Sequence, residues 1–264
     1  MAGYEIVHVA IAPPDRLEAN LIKKVAALVD KDLYGTRLLL AGKIPRIVAH
    51  YNTVQIAELT AQSLKALGLV AIVCKDSELR KSSQSYRAHT LKFGEGEVLF
   101  WDKGGKTRRI KSRNVFLLLN GRMQTYTETE VTRTRMKFSL PATVLTGGIP
   151  IWRRAEEKTK DLSLQTEYFV RLYDQELPEP SVEILQYDLD YSFLGAKMAS
   201  SSLANLSTIV AKLRDIFPHA VFDDRLTEPF GVGLPSTTPR DNIEINCKLI
   251  YLYHQAVSDL GSSA

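Results

Sequence analysis

The sequence predicts an α+β protein: an N-terminal β-α-α-β-α-β domain, then an antiparallel β-rich, barrel-like domain with a closing helix, and a C-terminal helix. Three observations carry this. Ile44–Asp76 reads as strand, capped helix, strand. Short alternating runs separated by Gly, Pro and polar clusters dominate after residue 89. The last periodic segment is apolar on nearly every side, which suits a buried helix. A chain of 264 residues suggests about two domains, and 45% hydrophobic with 24% charged residues is enough for a core.

Taken in order, Tyr4–Ile11 alternates weakly and reads as a strand that Pro13 and Pro14 end. Asp15 with Glu18 three residues on forms a capping-box pattern, and Leu17, Leu21, Val25 and Leu28 follow at helical spacing. Asp32 caps a second short helix through Leu40, with Gly42 as its stop. Ile44–His50 is the next strand. Asn52 with Gln55 again fits a cap, Ile56, Leu59, Ser63 and Leu67 share one helix face, and Gly68 ends that helix before the strand Leu69–Cys74. The polar stretch 77–88 is the best domain boundary.

Strands then follow at Leu91–Phe93, Val98–Asp102 and Lys106–Ile110, the last two joined by the hairpin pair Gly104-Gly105. Val115–Leu119 is a continuous apolar run, 123–140 is Thr-rich and alternates, and Gly147, Gly148 and Pro150 mark an irregular connection. Leu162–Leu172 alternates cleanly, with Leu162, Leu164, Tyr168, Val170 and Leu172 on one side and Glu167 and Arg171 on the other, as a half-buried strand does. Val182–Tyr191 is another strand. Ser202 caps a helix with Leu203, Leu206, Val210, Leu213 and Ile216 inward, stopped by Pro218. Asp241 with Glu244 opens the last helix, which Gly261 ends. That helix either packs back on its own domain or pairs with a second copy in a homodimer; self-packing is the expectation. The reading divides the chain into a docking domain over 1–79, a linker over 80–88, a β-rich domain over 89–227, a linker over 228–240 and a C-terminal helix over 241–264.

The β-α-α-β-α-β order, with Pro45, Ala57-Glu58, Leu64 and Gly68 before the last strand, resembles the C-terminal domain of the bacterial ribosomal stalk protein, a fold shared by the adaptor of the Clp protease. The resemblance covers residues 4–76 and implies that fold and a protein-docking role. Stalk domains touch translation factors through a lysine-rich second helix. Here that helix, Leu33–Leu40, carries a single cation, Arg37, so those contacts do not carry over. Residues 89–217, antiparallel strands closed by one amphipathic helix, weakly resemble a pleckstrin-homology-like barrel, which implies a lipid-headgroup or peptide ligand.

Charge is segregated along the chain. Residues 1–79 carry a net +1, 80–154 a net +11 and 155–264 a net −8. Such asymmetry points to a surface that meets an anion. The cations concentrate in Lys103, Lys106, Arg108, Arg109, Lys111 and Arg113 around a hairpin, and in Arg133, Arg135 and Lys137, which alternate and so share one strand face. With Trp101, Tyr126 and Trp152 interleaved, this segment is the candidate anion-binding set, for a small anion or for nucleic acid.

Other chemistry is thinner. Asp188 and Asp190 would share a strand face, and with His219 they make the strongest enzyme alternative. His219 and Asp223 lie four apart, but Pro218 and the strand-like Val221-Phe222 spoil helical ligand spacing, and Asp223-Asp224 read as a turn cluster. His8, His50, His89 and His254 show no metal spacing. No nucleophile elbow or phosphate loop is present, and Cys74 and Cys247 stand alone, as buried thiols of a reducing compartment do. No catalytic residue, metal or cofactor is therefore expected. The start of the chain lacks a basic region, and no run approaches the roughly 20 apolar residues of a membrane span. The overall expectation is a cytoplasmic bacterial adaptor or regulatory protein that docks a protein partner through residues 1–79 and binds an anion through the β-rich domain.

Overall fold

In a computed structural model, residues 5–81, 85–138, 152–228 and 239–262 are described, with side chains outside the description at 125–165, 239–242 and 261–262. The chain forms two compact units, one of residues 1–123 and 167–264, the other of residues 124–166.

The first unit opens with β1 (Val7–Ile11), α1 (Ala19–Val29), α2 (Leu33–Leu40), β2 (Arg46–Tyr51), α3 (Val54–Ala66) and β3 (Ala71–Lys75), in the element order the sequence predicts. β1 is central in an antiparallel sheet of order β2-β1-β3, and all five of its residues are buried. Its odd-numbered side chains, Val7, Val9 and Ile11, pack with Val25, Val29, Ala57, Ala61 and Leu64 beneath the helices. Ala10 instead packs with Ile72, Cys74, Leu79 and Leu249. Alternation along the strand puts His8 on that second face.

Local signals behave unevenly here. Asp32 accepts from the backbone N–H of Gly35 at 2.7 Å, as an N-cap does. Gly68 takes φ +83°, and the N–H groups of Gly68 and Leu69 close on the carbonyls of Lys65 and Leu64, a left-handed helix stop that needs no Cβ. The Asp15–Glu18 box does not form. α1 starts one residue after Glu18, which caps through no side-chain bond. Likewise Thr53, not Asn52, precedes α3. The predicted face of α3 is also overturned, because Ile56 and Leu59 are 51% and 63% exposed. The small residues Ala57 and Ala61, with Leu64, face the sheet instead, and small side chains let helix and sheet approach closely.

A short helix, α4 (Asp76–Arg80), occupies the start of the predicted 77–88 boundary. Next come β4 (Arg87–Ala88) and a three-stranded meander, β5 (Thr90–Phe93), β6 (Glu97–Trp101) and β7 (Thr107–Lys111). In it Asp102 Oδ1 accepts from the N–H groups of Gly104 and Lys106, and Gly105 has φ +79°, so the β6–β7 turn forms where Gly104-Gly105 predicts it. Then β8 (Leu117–Phe138), β9 (Trp152–Tyr173), β10 (Val182–Leu185), α5 (Ser202–Ile216), β11 (Val221–Leu226) and α6 (Pro239–Ser262) complete the described strands and α-helices, with short 3-10 turns at Ser112–Asn114 and Ser192–Lys197. The outer parts of β8 and β9 make up the described portion of the second unit.

The larger sheet runs β11-β8-β9-β10-β4, and its outer pairs, β11 with β8 and β10 with β4, are parallel. It is open and mixed, so the barrel-like antiparallel expectation is corrected. Open parallel pairing needs crossovers, and the α5 crossover supplies one between β10 and β11.

The half-buried reading of β9 fails at its C-terminal end, where Phe169–Tyr173 are all buried. Val170 and Leu172 meet α5 through Leu206, Ile209 and Leu213. Phe169 and Tyr173 meet α6 through Cys247, Ile250 and Tyr251. A sheet covered by a helix on each face has no solvent side to alternate toward. The strand predicted over Val182–Tyr191 stops at Leu185 and turns. Leu203, predicted inward, is 40% exposed at the first turn of α5, where Ser201 occupies the N-cap.

α6 begins at Pro239, two residues before the predicted Asp241 start. It packs on its own chain. Cys247, Ile250 and Tyr251 are buried against the large sheet, and Leu249 against β1 and β3. Lys248 donates to the carbonyls of Glu78 at 2.8 Å, Leu79 at 3.3 Å and Lys81 at 2.5 Å, closing the C-terminus of α4. Of the predicted linker over 228–240, residues 229–238 lie outside the described residues, and 239 and 240 belong to α6. Among the described residues no helix is long and apolar enough to cross a membrane.

Candidate functional site

The structure gathers part of the predicted cationic set into a cleft of about 570 Å³ between β4 and the β6–β7 turn. Arg87, His89, Lys103, Lys106, Arg108, Asp102 and Asp188 line it, with Tyr86. A hairpin turn positions Lys103 and Lys106, and the pairing of β6 with β7 sets Arg108 opposite Phe100. Arg87 and His89 sit at alternate positions around β4, with Ala88 between them turned into the core at 0% exposure.

Each wall is held in place. The Tyr86 hydroxyl, with one proton to give, lies between the carbonyls of Phe100, at 3.1 Å, and Lys106, tying the strand before β4 to the hairpin. Burial, with Asp102 nearby, raises the Tyr86 pKa, so the phenol stays a donor. The Arg108 guanidinium lies 4.8 Å from the Tyr86 ring centroid and donates to the Ser181 carbonyl. Asp188, in the turn after β10, pairs with Lys103 at 3.1 Å and Arg87 at 3.6 Å. His89 Nδ1 is 2.6 Å from the Asp188 carbonyl, which only accepts, so Nδ1 carries the proton and Nε2 is the free nitrogen. Among the described residues neither His89 Nε2 nor Lys106 Nζ has a partner.

The remaining predicted cations are dispersed. Arg109 lies across from Glu97 at 3.7 Å, and Lys111 stands exposed at the end of β7. Arg113 borders a separate hollow with His219, Asp174 and Glu176. Arg133, Arg135 and Lys137 fall at alternate positions in β8, with their side chains outside the described residues, as are those of Tyr126 and Trp152. The proposed carboxylate pair separates. Asp188 belongs to the cleft, while Asp190 caps a turn by accepting from the backbone and hydroxyl of Ser192. No hydrogen bond or ion pair joins His219 to either. The strand that would align the two carboxylates ends at Leu185.

Three polar clusters form from residues far apart in sequence. Arg171, 3% exposed, is bonded by Glu183 at 2.7 and 2.9 Å and by Glu244 of α6 at 3.0 Å, and Glu183 reaches on to Arg87 at 3.4 Å. Asp223 is bonded by His254 at 2.7 Å and by Arg225. Burial alone would raise the Asp223 pKa, but the bonds from His254 and Arg225 outweigh it and hold the carboxyl far below its usual range. At the N-terminal sheet, His8 Nε2 lies 2.9 Å from Asp76 Oδ1 and His8 Nδ1 lies 2.7 Å from His50 Nδ1. The carboxylate fixes the proton of His8 on Nε2, so Nδ1 accepts and the proton between the rings belongs to His50. Apart from Asp223 and Arg225, two residues apart, the spacings run from 12 residues (Arg171 to Glu183) to 96 (Arg87 to Glu183) and leave no local pattern to find. Strand register is the signal that joins His8 to His50, which are directly opposed on β1 and β2.

Among the described residues no group of three or more His, Cys, Asp or Glu side chains is placed to hold a metal ion. Burial pushes the thiols of Cys74 and Cys247 up to about 12, where neither supplies a thiolate at neutral pH. No protein-family model, curated protein or solved structure matches the chain.

Proposed function

We propose that this is a cytoplasmic adaptor or regulatory protein that works by binding, with an anionic ligand held in the cleft around Lys106 and a protein partner docked on the N-terminal helices. The observation that carries the reading is convergence. Lys103, Lys106 and Arg108, from one hairpin, meet Arg87 and His89, from another strand, around one concavity of ligand size. Lys106 and His89 offer polar atoms with no partner among the described residues, so a ligand can engage them without breaking an existing protein bond. The docking half rests on apolar residues turned outward: Leu33, Tyr34 and Leu38 on α2 and Ile56 and Leu59 on α3 are all about half exposed or more. Exposed apolar groups mark a contact surface where they adjoin as one patch.

The test is calorimetric titration of the full chain with phosphate, citrate and a mixed-sequence oligonucleotide, at two salt concentrations, beside a Lys103→Ala/Lys106→Ala variant. Saturable binding of a small anion that the variant loses supports the cleft reading. Oligonucleotide binding with a steep salt slope, unchanged in the variant, would move the function to nucleic acid through the strand cations instead.

A further inference from the structure

We infer that His8 and His50 form a one-proton lock on the edge of the N-terminal sheet. The pair takes up a first proton with its bonds intact, and a second proton parts the two rings. This goes beyond the anion cleft and adds an acid-responsive element to the fold.

Strand register brings the rings together. His8 on β1 and His50 on β2 are directly opposed, and β2 is an edge strand of its sheet. Their Nδ1 atoms lie 2.7 Å apart, with the ring planes at 86°. Two nitrogens at that distance hold one proton between them, whichever ring owns it. On the far side of His8, Nε2 faces Asp76 Oδ1 at 2.9 Å, and Arg80 Nε meets the same carboxyl at 2.8 and 2.9 Å. Burial opposes ionisation of Asp76, but the bonds from His8 and Arg80 hold its carboxyl below the usual range. A carboxylate only accepts, so Nε2 of His8 carries a proton in every state of the pair.

Counting protons then gives the lock. In the neutral pair the gap holds the one proton that His50 donates. An added proton still leaves a single proton in the gap, bound to either ring, and every bond survives. A second places an N–H on both Nδ1 atoms, so that two donors and two positive charges face each other across 2.7 Å. The rings must separate.

The surroundings decide which ring moves. His8 is 5% exposed, is held by Asp76 and lies opposite Cys74 of β3, whose thiol burial keeps protonated. α6 covers that face of the sheet with the apolar Leu249, and Lys248 is committed to the carbonyls of α4. Glu78 of α4 pairs with Lys75 at 3.7 Å. His50, in contrast, is exposed, and partial burial, His8 and Lys31 disfavour its charge against the pull of Asp76. His50 is therefore the ring that swings out, and the β1–β2 pairing loosens with it.

The experiment follows the imidazole nitrogens of the full chain by NMR from pH 8 to pH 4.5, in the parent and in His50→Gln. That position is exposed, and the glutamine amide can still donate to His8. In the parent both rings should report the same two proton uptakes, at least about 1 pH unit apart. Opening of the 46–51 amides, corrected for the intrinsic pH dependence of exchange, should rise about tenfold through the second uptake only, while 71–75 of β3 stay protected. In His50→Gln, His8 should take its proton in a single step and the acid-driven opening should vanish. Rings that each follow an independent single-site curve, with His8 unmoved by His50→Gln, would overturn the shared proton. Coupled uptakes with 46–51 unchanged through the second, or with 71–75 opening equally, would overturn the lock at the sheet edge.

Discussion

Two arginines that meet the same glutamate show how position decides the role of a charge. Arg171 and Arg87 both reach Glu183, yet the side chain of Arg171 is 4% exposed while that of Arg87 is 46% exposed. Inside, between β9 and α6, the guanidinium is surrounded by carboxylates with no water to replace them, and its donors are committed to holding the helix on the sheet. One strand pair away, at the sheet edge, the same group keeps solvent on one side and faces the cleft with Lys103 and Lys106. A cation in the first setting is architecture. In the second it can exchange one partner for another, as recognition requires.

The contrast breaks most sharply at the buried end. Arg171→Met should cost about 3–5 kcal/mol by urea unfolding, because Glu183 is left buried with only the long contacts to Arg87 and Ser85, both at 3.4 Å. Removing the carboxylates as well, in Arg171→Met/Glu183→Leu/Glu244→Leu, should recover most of that loss, since paired and apolar interiors are nearly equivalent. A triple variant no better than the single would show that the charges themselves define the packing of α6.

A packing test of the same interior comes next. A Cβ on Gly121 would lie 2.5 Å from Phe169 Cζ and 2.9 Å from Leu226 Cβ, where β8 meets β11. Gly121→Ala should therefore destabilise by about 1–3 kcal/mol in the same measurement. A neutral result would show that Phe169 can withdraw and that the core beside Arg171 is looser than its burial implies.

At the cleft the expectation reverses. Lys106→Ala should change unfolding stability by no more than about 0.5 kcal/mol while weakening anion binding. A larger stability loss would make the cleft cations structural after all and erase the contrast with Arg171.

The smallest effect belongs to the N-terminal sheet. Burial, with His8 and Lys31 nearby, lowers the His50 pKa, so the fold favours its neutral form. Its contribution is present above the unfolded value near 6.5 and is lost as pH falls below it. Melting temperature should therefore drop more between pH 7.5 and 5.5 in the parent than in His50→Gln. An equal drop would assign the acid sensitivity to other groups.

The elements legible in sequence were those that local chemistry decides alone. The β-α-α-β-α-β order, the Asp32 cap, the Gly68 stop and the Gly104-Gly105 hairpin follow from backbone donors, φ limits and side-chain period within a few residues. The charge excess of 80–154 likewise pointed to Lys103, Lys106 and Arg108, which do line the cleft. Which helix face or strand face is inside was not decided locally. Ile56 and Leu59 are large apolar residues of α3, but the sheet accepts Ala57 and Ala61 with Leu64 instead. Arg171 alternates like a solvent residue, but α6 returns from more than 70 residues away to cover it. Burial depends on what the rest of the chain lays over a surface, and a periodic pattern records only that a surface exists. The same reason hides the partners of His8, Asp223 and His89. Each is set by register or by a returning helix, so only the tertiary structure determines which charges are sealed inside and which remain available to a ligand.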